Sequence, residues 1–85
     1  MKRAYYKIEI DAEAGHELIR ANNMKPFGSI EEAETKARNE IASHINHGPE
    51  NIRLIRSPRV QFGDSINYKV FIAWFEVGKV RITEL

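Results

Sequence analysis

The 85-residue sequence has no cysteine, and its five glycines, three prolines and single tryptophan are thinly spread. Without cysteine there is no disulfide scaffold and no thiolate metal site, which fits a reducing compartment. Neither sign of charge dominates. Thirteen Lys and Arg stand against twelve Asp and Glu, a formal net charge of +1, so no overall field selects nucleic acid or an anionic membrane. No stretch approaches the ~20 apolar residues of a membrane span, and Met-Lys-Arg-Ala-Tyr-Tyr-Lys at the start leads into no apolar signal segment. A cytoplasmic protein with no membrane partner is the expectation.

What is present suffices for one core. A chain of 85 residues has room for one layer of helix on one sheet, and 42% hydrophobic with 29% charged residues is enough apolar surface to offset chain entropy. Residues 1–85 are expected to form a single α+β domain, one helix packed on one face of a four- to five-stranded, mostly antiparallel sheet in the order β(β)αβββ.

Residues 4–10 alternate, with Ala4, Tyr6, Ile8 and Ile10 on one side and Tyr5, Lys7 and Glu9 on the other, the period of a half-buried strand. Residues 11–28 are the least regular, punctuated by Gly15, Asn22, Asn23 and Pro26 while Leu18, Ile19, Met24 and Phe27 require burial; His16–Ala21 is a candidate short strand. The helix has the clearest signals. Ser29 and Glu32 make an S-x-x-E capping box, and Glu31, Glu32 and Glu34 crowd the first turn where the helix dipole favours negative charge. Ile30, Ala33, Ala37, Ile41 and Ile45 recur at helical spacing as one apolar stripe, opposite Lys36, Arg38 and Glu40, and Gly48-Pro49 ends the element.

Beyond Asn51 a meander of three strands is predicted, at 51–61, 66–76 and 80–84. Its two-residue hairpin loops fall at Phe62-Gly63-Asp64-Ser65 and Val77-Gly78-Lys79-Val80, each with Gly at the first central position. Those loops fix a register. One face collects Ile52, Leu54, Arg56, Phe71, Ala73, Phe75, Val77, Val80 and Ile82, a core apart from Arg56. The other collects Arg53, Ile55, Ser57, Arg59, Tyr68, Val70, Ile72, Trp74, Glu76, Arg81 and Thr83. This second face has an apolar centre rimmed by arginine and aromatics, and one helix cannot cover both sides of a sheet.

Three arrangements would cover it. Residues 11–28 would fold back as a lid; another protein or a second copy would dock there; or single-stranded nucleic acid would stack on Trp74 and Tyr68 with Arg53 and Arg59 at the phosphates. The leading expectation is a non-enzymatic protein-binding module, self or foreign, using Arg53, Ile55, Arg59, Tyr68, Val70, Ile72, Trp74 and Arg81; a nucleic-acid module on the same residues is second. Pro58 is the weak point of the register, because a one-residue slip beyond it exchanges the faces.

Chemistry is sparse. His44 and His47 stand three apart, with His16 as a distant third nitrogen, but a last helical turn accounts for both and no metal is expected. Asp11 and Glu13 are neighbours only in sequence. Ser29 is occupied as a cap, no G-x-S-x-G elbow or phosphate-binding glycine loop occurs, and no enzyme and no cofactor are expected. The order strand, helix, strand, strand with Ser-Ile-Glu-Glu-Ala-Glu-Thr-Lys-Ala at the helix start resembles dodecins, small flavin-binding proteins that assemble through their sheets. That resemblance implies a self-assembling small-ligand binder, though Trp74 lies one strand later than the stacking Trp of that family, and no flavin is carried over. In size and lack of catalytic motif the chain is also similar to phage-encoded inhibitors, anti-CRISPR proteins among them, which implies an inhibitor that occupies a partner's working surface.

Overall fold

A computed structural model describes residues 4–14, 17–45, 48–57 and 65–85. The elements run β1 (Ala4–Ala14), β2 (Glu17–Phe27), α1 (Ile30–Ile45), a 3-10 turn (Pro49–Asn51), β3 (Ile52–Arg56), β4 (Ser65–Ile72) and β5 (Phe75–Glu84). The helix packs on one face of a five-stranded antiparallel sheet of order β2-β1-β5-β4-β3, the expected fold class.

The helix follows its sequence signals. Ser29 Oγ accepts from the Glu32 N–H at 3.3 Å, while the Glu32 carboxylate returns to the Gly28 N–H at 2.8 Å, one residue before the cap. Ala33, Ala37 and Ile41 are fully buried, with Ile30 and Ile45 packed at the margins of the same core. Against them lie Tyr6, Ile8, Ile10 and Ala12 of β1, Ile19 of β2, Val80 and Ile82 of β5, Tyr68 and Val70 of β4 and Ile52 of β3. The small alanines let the helix backbone approach the sheet closely.

The described residues of 11–28 do not form a lid. β1 continues to Ala14, and β2 pairs with it along its whole length, from Ala4 opposite Phe27 to Ala14 opposite Glu17. Asn22, Asn23 and Pro26, read as breakers, sit in an edge strand, where a residue without an N–H costs the ladder nothing if it faces outward. Ile19 enters the core as required, but Leu18 and Met24 point to the other face and stay exposed.

The meander also differs from expectation. The hairpin between β4 and β5 turns at Ala73-Trp74, with Ile72 opposite Phe75, and Gly78 lies inside β5. Between Val70 and Phe71 the register shifts: Val70 faces Gly78, Phe71 faces Glu76, and Val77 is the extra residue of a bulge. Gly78 is needed because the backbone of β1 passes close by, and a Cβ there would collide with the Asp11 carbonyl oxygen and Ala12 Cα. β3 meets β4 with Ile52 opposite Ile72, not Phe75, and Leu54 opposite Val70, not Ala73. The displacement is an odd number of residues, so it exchanges the faces of β4: Tyr68, Val70 and Ile72 turn toward the helix and Phe71 turns away. The predicted loop at 62–64 and Pro58 lie outside the described residues. No helix among the described residues is long and apolar enough to cross a membrane.

Candidate functional site

The face opposite the helix is mostly polar, which overturns the expectation of an apolar centre. β1 contributes Glu9 and Asp11 between Arg20 of β2 and Lys79 and Arg81 of β5. Asp11 pairs with Arg20 at 3.7 Å, and Arg81 lies 3.9 Å from Glu9 while donating to Asn67 Oδ1 at 3.3 Å. These groups line a shallow groove of about 590 Å³. At such distances and exposures the pairs add little stability, but they make the middle of the face a solvated surface that needs no cover.

Apolar surface on this side lies in two places: at Tyr5, Leu18 and Met24 along β1 and the edge strand β2, and at a corner formed by the β4–β5 hairpin and the adjoining edge strand β3. Arg53 of β3 stands directly opposite Phe71 of β4, its guanidinium carbon 5.7 Å from the ring centroid, within cation–π range. The same guanidinium donates through Nη2 to the Ala73 carbonyl at 2.8 Å, tying the tip of the hairpin to the neighbouring strand. Ala73 has φ 55°, and no other described non-glycine residue has a positive φ. A positive φ at the first central position alone is the pattern of a type II′ turn, and for alanine it costs about 1–2 kcal/mol. Next to this strained residue Trp74 is 85% exposed and Phe75 71% exposed. The bulge at Val77-Gly78 increases the local twist and so sets the direction in which the tip projects. Beside it, Glu50, Asn51, Arg53, Ile72 and Ala73 line a pocket of about 330 Å³.

The helix-facing side holds a polar cluster that bridges helix and sheet. Glu34 Oε2 accepts from Tyr68 Oη at 2.6 Å and from Arg56 Nη2 and Nε at 3.0 and 3.3 Å. Burial, then the bond to Glu34, pushes the Tyr68 hydroxyl well above the ordinary tyrosine range, and the same carboxylate raises Arg56. Arg56, the odd member of the predicted core face, is thereby accounted for as a partner of Glu34.

The predicted partner-binding residues are therefore divided. Arg53, Ile55 and Arg81 lie on the face away from the helix, with Arg53 and Ile55 two residues apart along β3. Tyr68 and Val70 are buried beneath the helix and Ile72 shares their face, so these three do not belong to the open surface. Trp74 is in the turn, and Arg59 lies outside the described residues. Phe71, placed on the core face by the predicted register, lies on the open face, and Ala73 is in the turn; Phe75 stands opposite Ile72 on the helix-facing side, as the register had it, but is 71% exposed at the hairpin tip where a core position was expected. The run Val70-Phe71-Ile72-Ala73-Trp74-Phe75 has no polar residue, so alternation within it does not say which side faces the core. His44 is exposed at the helix end, His16 and His47 lie outside the described residues, and among the described residues no three acidic, His or Cys groups converge on a metal-sized site. Comparison with known proteins finds no matching family, curated protein or solved structure.

Proposed function

We propose that the chain is a non-enzymatic protein-binding module that engages a larger partner through the Trp74 corner. The observation that carries this reading is the exposure of Trp74 on a turn that is both strained and tied down by Arg53. Unfavourable backbone geometry that the surroundings hold in place tends to collect where function requires it. A preorganised tip loses little entropy on binding, and Trp with Arg beside it is the composition of interface hot spots. The partner it fits is a protein with an apolar pocket for Trp74 and polar rim groups for the remaining Arg53 donors. Occupying such a pocket is how a small inhibitor of a larger protein would act.

The same geometry weakens the nucleic-acid reading. Stacking was assigned to Trp74 and Tyr68 together, and Tyr68 is buried with its hydroxyl on Glu34.

The test compares wild-type and Trp74→Ala chains, each immobilised and exposed to the same cell extract, with parallel melting curves. A protein retained by the wild type and lost by Trp74→Ala, at unchanged melting temperature, supports the reading. Equal capture by both chains, or a Trp74→Ala chain that fails to fold, overturns it. Retained nucleic acid that is released steeply by salt would point to phosphate contacts instead.

A further inference from the structure

The longer free edge of the sheet is β2, an 11-residue strand with β1 as its one neighbour among the described residues. The opposite edge, β3, has 5 residues, and brevity is itself a protection against edge pairing. β2 lacks that protection.

The direction of its free backbone groups follows from the hydrogen bonds. The Leu85 N–H donates to the Tyr5 carbonyl at 2.8 Å, so odd-numbered residues of β1 aim their backbone at β5. Tyr5 pairs with Pro26, Lys7 with Met24, Glu9 with Asn22, Asp11 with Arg20 and Glu13 with Leu18, so these are the pairs that exchange no backbone bonds. The backbone groups of Leu18, Arg20, Asn22, Met24 and Pro26 therefore point out of the sheet. Pro26 has no N–H to offer, and it closes the C-terminal end of the exposed ladder.

Two apolar side chains of this edge are also unsatisfied within the fold. Leu18 is 60% and Met24 64% exposed, and the residues directly opposite them on β1 are the charged Glu13 and Lys7. Neither has an apolar cross-strand neighbour.

We infer that β2 is a self-association edge: two copies pair β2 against β2, antiparallel, about a two-fold axis at Ala21, joining two five-stranded sheets into one. A two-fold axis requires residues of the same parity to oppose one another, so the permitted registers are centred on single residues. Centred on Ala21, Leu18 opposes Met24 of the second copy and Arg20 opposes Asn22. Every outward N–H of Leu18, Arg20, Asn22 and Met24 then meets an outward carbonyl, while Pro26 stays clear of the paired segment. Each apolar side chain gains the cross-strand partner that β1 does not supply. Centred on Asn22, the next permitted register, Leu18 would oppose Pro26 and Arg20 would oppose Met24, and that complementarity is lost. β2 and the β4–β5 hairpin belong to different parts of the sheet, so the dimer would carry two copies of the Trp74 corner.

The absence of cysteine makes a register-specific test simple. Ala21 has its backbone turned toward β1, so the two copies of Ala21 would form a non-hydrogen-bonded pair with Cα atoms about 4.5 Å apart, inside disulfide range. Ala21→Cys is expected to give a covalent dimer on mild oxidation, and Asn22→Cys, which would cross-link in the competing register, is expected to give little. Sedimentation of the unmodified chain should show a dimer. Asn22→Pro, which removes an outward N–H and no bond to β1, should be a monomer with an unchanged circular dichroism spectrum. Leu18→Asp should also be monomeric, and adding Met24→Lys should restore the dimer by placing opposite charges across the axis. A wild-type monomer up to millimolar concentration, a dimer that survives Asn22→Pro, or cross-linking at Asn22→Cys in preference to Ala21→Cys would overturn the inference.

Discussion

Tyr68 donates its hydroxyl to Glu34 Oε2 at 2.6 Å, a bond that joins the second turn of the helix to the middle of β4. Tyr68 is 2% exposed, so this hydroxyl has exchanged water for a carboxylate, and a charged acceptor makes such a bond stronger than a neutral one. Arg56 approaches the same oxygen from the edge strand at 3.0 Å but keeps about half its side-chain surface in water. The cluster thus has a buried limb and a wet one, and it fixes how the helix sits across β3 and β4.

The two limbs should differ in cost. Glu34→Ala leaves the Tyr68 hydroxyl buried without a partner and should destabilise the fold by about 2–3 kcal/mol. Arg56→Met keeps the Tyr68 bond and the packing of the stem, and should cost about 1 kcal/mol or less. Urea unfolding of both variants checks the order, and an Arg56→Met chain as unstable as Glu34→Ala would show that the ion pair carries the contact.

Alkaline pH should loosen the fold through the same residue. Burial first, and then the bond to Glu34, raises the Tyr68 hydroxyl well above the usual value near 10, so the folded state retains a proton that the unfolded chain loses. The contribution is fully present below about pH 10, the unfolded value, and falls as pH rises further, by up to about 1.4 kcal/mol per pH unit for this group. Tyr6, also raised by burial and by Glu84, shifts in the same direction. Tyr68→Phe should flatten the decline in stability between about pH 10 and 12, measured by denaturant midpoints across that range.

The helix was legible because its signals are local: Ser29 and Glu32 lie within one turn, and Ala33, Ala37 and Ile41 repeat at its period. β1 was legible from Tyr6, Ile8 and Ile10 for the same reason. The sheet faces were not, since they depend on where the last hairpin turns. Glycine at 78 suggested a turn, yet its role is to let β1 and β5 approach at a bulge, and the turn uses Ala73-Trp74, which carries no turn chemistry at all. With an unbroken apolar run from Val70 to Phe75, nothing in the side chains opposed the wrong register. β2 was obscured differently. An edge strand tolerates Asn and Pro that a central strand would reject, so the residues that mark it as an edge also make it read as a loop. At the candidate site, Trp74 and Arg53 were legible by composition, whereas the misplaced faces hid Phe71 and wrongly included Tyr68, Val70 and Ile72, and the misplaced turn hid the exposure of Phe75.

The turn offers a test of the strain assigned to Ala73. Glycine takes φ 55° without the Cβ conflict but gives up more entropy on folding, so Ala73→Gly should stabilise the chain by about 0.5–1 kcal/mol. For a domain of this size that is a rise of about 2–8 °C in melting temperature. If the strained turn serves binding by holding Trp74 in place, the gain in stability should come with weaker partner capture. Unchanged capture would separate the strain from the function.

Gly78 should respond in the opposite way. Its Cβ position is occupied by backbone atoms of Asp11 and Ala12, and a backbone in the middle of a sheet cannot move aside as a flexible side chain would. Gly78→Ala must therefore push β1 and β5 apart or undo the bulge, at a cost of about 3 kcal/mol. Undoing the bulge would also return Val77 to the ladder and turn the hairpin tip, since the extra residue sets the twist there. The measurement pairs a melting curve with Trp74 fluorescence: a large loss of stability is expected, with altered Trp74 emission in whatever fraction remains folded. A Gly78→Ala chain that melts with the wild type would mean that β1 and β5 do not approach as closely as the bulge requires.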